Sequence, residues 1–149
     1  MAKFFYKMQN ILDIKMKLET QAKNEFAIAN TELAEEEEKL TELEARRQQY
    51  EDELAKLYRD KLDVRRIHET ADAVELMKYH KRLQEVNVAR ARKKADEARD
   101  RLQEAVQDRK THEKLKENAF EVFKQEVAAA ESKEIDELVS YRHGQSDDE

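Results

Sequence analysis

The chain has no proline, no cysteine, no tryptophan and one glycine, Gly144, among 149 residues. A fold with many turns draws on glycine and proline to make them, so sandwiches, barrels and most compact mixed folds are excluded. The absence of cysteine excludes a disulfide framework and thiolate chemistry, and fits a reducing compartment. No run of 18 apolar residues exists to span a membrane. The opening Ala2-Lys3-Phe4-Phe5-Tyr6 lacks the apolar core and cleavage site of a signal peptide, so the chain reads as soluble and intracellular. Basic residues number 29 and acidic ones 35, a net charge of −6 that argues against general nucleic-acid affinity. With 43% charged residues, what remains is a long helical structure or a disordered chain.

Periodicity decides for helix. Apolar residues recur at alternating steps of three and four through Phe4, Met8, Ile11, Leu18, Ala22, Phe26, Ala29, Leu33, Leu40, Leu43, Tyr50, Leu54, Leu57 and Val64. Lys15, Glu36, Arg47 and Lys61 fill the gaps, and Leu18-Ala22-Phe26 reads as a local stutter. Such a seam is the signature of a coiled coil. In the second half Leu76, Tyr79, Leu83 and Val86 give one phase, and Val88, Ala91, Ala95, Ala98, Leu102, Ala105, His112, Ala119, Phe123, Val127 and Ala130 give another. The change near 86–88 suggests a skip.

The pattern lapses around Arg65–Ala71. Asp72 with Glu75 resembles a capping box, with Thr70 as an alternative cap. The expected fold is all-α: a long two-helix antiparallel coiled-coil hairpin over 1–141, with helices at about 3–66 and 73–141 and a turn at about 67–72. Residues 142–149 read as a disordered acidic tail. A bend near residue 68 would set position i opposite about 136 − i. It would lay the glutamate-rich 35–44 on the basic 92–101, Leu33 near Leu102, and Ile11 and Leu12 near Phe123. The rival is one continuous helix that dimerises as a self-associating structural scaffold.

The four histidines stand singly, with no ligand spacing, phosphate loop or nucleophile elbow, so no metal, cofactor or catalytic residue is expected and the chain reads as non-enzymatic. The basic stretch 78–101 reads as charge pairing between helices rather than a nucleic-acid site. The two chain ends differ. Nine of the fifteen residues from Phe4 to Leu18 are apolar, and Phe120, Val122, Phe123, Val127, Ile135, Leu138 and Val139 lie at the other end. Two helices cannot bury all of these, and such surplus marks a partner site.

Both ends also carry a resemblance. Phe4-Phe5-Tyr6-Lys7-Met8-Gln9-Asn10-Ile11-Leu12-Asp13-Ile14-Lys15, with Glu19, resembles the opening of the flagellar export protein FliJ family. Lys116–Glu126 and then Glu131-Ser132-Lys133-Glu134-Ile135-Asp136-Glu137-Leu138 resemble its close, although Asn118 stands where the family often has a basic residue. The resemblance implies a component of the flagellar type III export apparatus, cytoplasmic and peripheral at the inner face of the membrane, and a monomer in isolation. It implies a rod that inserts into the hexameric ring of the export ATPase, promotes its assembly and activity, links it to the cytoplasmic domain of the export gate and escorts export chaperones. By position, ATPase contacts fall on Phe4, Phe5, Lys7, Gln9, Leu12, Phe120, Phe123, Lys124, Lys133 and Glu137. Tyr50, Leu83 and Val86 are the nearest gate-contact candidates.

Overall fold

A computed structural model describes residues 2–147. Helix α1 runs Gln9–Arg59 and helix α2 Val64–Asp147, and no strand occurs among the described residues. The fold is all-α, a two-helix antiparallel coiled-coil hairpin. The chain forms two compact units, residues 20–103 and residues 1–19 with 104–149.

In the unit of residues 20–103 the chain reverses at 60–63, not at the expected 67–72, and α1 ends at Arg59 rather than near 66. The cap is Asp63. Its carboxylate accepts the Arg66 N–H at 3.3 Å and its carbonyl accepts the Ile67 N–H at 3.0 Å. No described residue has positive φ, so this reversal needs no glycine. Thr70 and Asp72, the caps read from sequence, lie inside α2, and Thr70 is buried.

Moving the bend about six residues toward the N-terminus shifts the register by twice that. Opposed positions add to about 124 rather than 136. Leu33 therefore packs on Ala29, Ala95 and Ala98, together with Phe26, and not near Leu102. The alanines are the most buried part of the seam, Ala95 at 3% and Ala98 at 2% exposure. Small residues there let the backbones approach while Phe26 and Leu33 fill the sides.

Neither the stutter nor the skip exists. The inward residues of α2 run Thr70, Val74, Met77, Lys81, Gln84, Val88, Ala91, Ala95 and Ala98, alternating four and three throughout. Lys81 and Gln84 hold inward places because α1 supplies their partners. Lys81 pairs with Glu44. The Gln84 amide donates to the Glu36 carboxylate and, at 2.9 Å, to the Glu36 carbonyl. Glu37–Arg92 at 3.1 Å and Glu25–Arg101 at 3.7 Å flank the seam. Acidic on basic pairing is thus present, with the glutamate run set against residues nearer 81–92. The Gln84 hydrogen bond holds the Glu36 carboxyl below its ordinary range, against the opposing effect of burial, with help from Lys39. Lys81 and then Arg47 do the same for Glu44.

In the other unit α1 turns Leu12 and Glu19 inward, Glu19 being 7% exposed while Leu18 is 46% exposed. Glu19 pairs with Arg109, which also holds Glu113 at 2.7 Å. Lys15 reaches Asp108 at 3.5 Å. Residues 2–6 are not helical, contrary to the expected start near 3; the Gln9 N–H closes the first turn on the Tyr6 carbonyl at 3.2 Å. At the other end α2 continues through 142–147, where a tail was expected. Gln145 bonds Tyr141 and Ser146 bonds the His143 carbonyl, each at 3.0 Å, and these local bonds sustain the helix. Positions 148 and 149 of that expected tail lie outside the described residues.

Ala98→Leu should lower stability by about 1–3 kcal/mol in thermal melts, because the site has no room for added methylenes. The lowered Glu36 and Glu44 values favour folding while both groups are ionised. That contribution is complete above their unfolded values and is lost as pH falls through the folded ones. The melting midpoint should therefore drop on acidification, and the double variant Glu36→Gln/Glu44→Gln should flatten the drop.

Candidate partner-docking site

In the unit of residues 1–19 and 104–149 the non-helical N-terminal segment folds across α2. The Phe4 ring meets Phe120 edge-on at 5.2 Å and Phe123 at 5.4 Å, and stacks on Tyr6 at 6.4 Å. Lys124 lies over the Phe120 ring with its Nζ 4.7 Å from the centroid and pairs with Glu121 at 3.1 Å. Phe4 is expected from sequence to meet the seam as a helical residue; instead it closes the seam from outside the helix, taking the place at Phe123 that Ile11 and Leu12 were expected to fill.

Beside this cluster is an open depression of about 310 Å³, lined by Phe4, Phe5, Tyr6, Lys7, Ala119, Val122, Phe123 and Glu126. Phe5 stands 82% exposed on its rim and Val122 is 52% exposed. An apolar floor with a lysine and a glutamate at the edge suits an apolar or aromatic side chain flanked by polar contacts.

Beyond Val127 every residue of α2 through Ser146 is exposed. Ile135, Leu138 and Val139 recur at helical spacing with exposures of 60, 61 and 51%. No element of the described chain covers them, so this stretch is an amphipathic helix without a partner.

The profile of a family described as Flagellar FliJ protein matches residues 4–147. The chain belongs to the FliJ family. No curated protein and no solved structure matches it. Membership makes it a component of flagellar protein export, in a family whose members are non-catalytic. No helix of the described residues is long and apolar enough to cross a membrane.

Set against this family reading, the structure gathers Phe4, Phe5, Lys7, Phe120, Phe123 and Lys124 at the open end. Gln9 lies in the first turn of α1, where its amide donates to Asp13 at 2.9 Å. Leu12 is 4% exposed and belongs to the seam, so it supports the site from beneath. Lys133 and Glu137 sit farther along α2 on the uncovered stretch, exposed and without an ion pair among the described residues. Leu83 and Val86 lie on the outer face of α2, whereas Tyr50 is half-buried in the seam on α1. These three do not form one surface. Sequence reasoning counted Tyr6 and Val122 among the surplus apolar residues of the two ends but not among the ATPase contacts, and it left Ala119 and Glu126 out of the site. Ala119 carried the signal of a seam position, whereas Glu126 carried none.

Phe4→Ala should leave the helix content intact and speed amide exchange at residues 5–9 markedly, because the ring is what holds the segment on α2. Hydrogen exchange read by mass spectrometry measures this directly.

Proposed function

We propose that this chain serves flagellar export as a non-enzymatic shaft whose open end docks in the hexameric ring of the export ATPase. The observation that carries the reading is the concentration of uncovered apolar surface at one end: Phe5 and Val122 around the depression, then Ile135, Leu138 and Val139 on the extension of α2. Burying such surface yields roughly 25 cal/mol per Å², before the costs of association are subtracted. Phe4, Phe120 and Phe123 shape the docking surface, Leu12 braces it, and Lys7, Gln9, Lys124, Lys133 and Glu137 supply polar contacts that orient it.

The shaft brings no catalytic group. It promotes ring assembly and turnover by binding one arrangement of the subunits more tightly than the others, the only way a partner shifts an equilibrium. In the same reading it works from the cytoplasm at the inner face of the membrane and escorts export chaperones. Leu83 and Val86 link it to the cytoplasmic domain of the export gate, with Tyr50 a separate contact on the other helix.

Phe5→Asp and Leu138→Asp alter side chains that are already exposed, so circular dichroism should be unchanged. Each should weaken binding to the purified export ATPase by roughly tenfold or more, on the scale of an interface anchor. Stimulation of ATP hydrolysis should fall in parallel. Wild-type chain that leaves ATPase assembly and turnover unaltered would refute the reading.

A further inference from the structure

Away from the seam, α2 carries a second apolar line. Leu76, Tyr79, Leu83 and Val86 are 51, 50, 48 and 49% exposed. They recur at steps of three, four and three, which places them on one face of the helix, while Val74, Gln84 and Val88 face α1. The whole stripe lies within the unit of residues 20–103. This is the line that mimics a phase change in the sequence.

The line is symmetric about residue 81. Leu76 and Val86 are equidistant from that point, as are Tyr79 and Leu83. Continuing the same stripe outward gives Asp72 with Arg90, then Glu69 with Lys93, then Arg65 with Glu97. Each of these three pairs joins opposite charges, and all six residues are exposed. Asp72, Arg90, Lys93 and Glu97 make no ion pair among the described residues, while Arg65 and Glu69 pair only with one another, at 3.3 Å on the surface. In an antiparallel coiled coil, positions equidistant from the centre meet across the interface. A two-fold axis at residue 81 would therefore set Leu76 on Val86, Tyr79 on Leu83 and every flanking charge on its opposite, twice over.

We propose that two copies of this chain associate through the outer stripe of α2, antiparallel and two-fold symmetric. A second copy is the occupant that the pattern specifies, because only a self-pairing surface must match its own reverse. The association is weak and reversible. Four half-exposed apolar residues per copy offer far less than a permanent interface, and Arg82, beside the axis, lies opposite His80 rather than an acidic residue. The charges fix orientation more than strength. The inference is independent of docking at the open end, and any protein that takes Leu83 and Val86 competes with the second copy.

The test uses the full chain alone. Sedimentation over a dilution series should show a monomer–dimer equilibrium. Asp72→Arg and Arg90→Asp should each weaken dimerisation about tenfold, since each turns two attractive pairs repulsive. An equimolar mixture of the two variants should recover it, as should the double variant. The chain has no native cysteine. Mild oxidation of mixed Leu76→Cys and Val86→Cys chains should give the mixed disulfide in excess over either self-linked product. Circular dichroism establishes that each variant keeps its helix content. A chain that stays monomeric at every concentration overturns the proposal. So do charge reversals without effect, or Leu76→Cys chains that link to themselves as fast as to Val86→Cys chains.

Discussion

Every inward position of a two-helix seam must be filled, and in this chain several are filled by groups that cannot be buried alone. Glu19 depends on Arg109, Lys81 on Glu44, and Gln84 on Glu36. An unpaired charge or amide at these places would carry a desolvation cost that outweighs its contribution to packing. Apolar side chains tolerate a slip of one heptad. Paired polar ones do not, so these three pairs define which residue of α1 meets which residue of α2. The register in turn decides where the helices stop overlapping, and so how much of α2 is left uncovered.

The same polar residues explain what could and could not be read from the sequence. The hairpin, the antiparallel charge pairing and the surplus of apolar residues at both chain ends were legible, because each is written in patterns of three and four or in charge. The phase of α2 was not. Following apolar residues alone leads from Val88 back to Val86, Leu83 and Tyr79, on the outer face, and past Gln84 and Lys81, which are the inward ones. Leu18 drew attention from Glu19 in the same way. The bend was displaced because Asp63 caps α2 without glycine, proline or a capping box, while Asp72 and Glu75 imitate one inside the helix.

Of the residues the family resemblance names, Phe4, Phe5, Lys7, Phe120, Phe123 and Lys124 lie together around the aromatic cluster, whereas Leu12 belongs to the seam and Lys133 and Glu137 lie farther along α2. The aromatic opening and the Phe120–Phe123 segment were legible as a pair of apolar ends. That Phe4 leaves the helix to lie across α2 was not, because the three-four pattern accommodates Phe4 as readily inside a helix. The uncovered stretch beyond Val127 depends on the register, and a bend placed six residues too late conceals it.

The long stretch of sequence between Phe4 and its ring partners has a consequence for how the chain is made. Closing a longer loop costs more entropy, although the cost rises only logarithmically, which favours pairing near Asp63 over pairing near the chain ends. During translation each part of α1 is made before the part of α2 that receives it. Phe4 finds its ring partners only after more than a hundred further residues have been added. Until then the Phe4 ring lacks both of its partners on α2, and the growing polypeptide shelters this aromatic segment late.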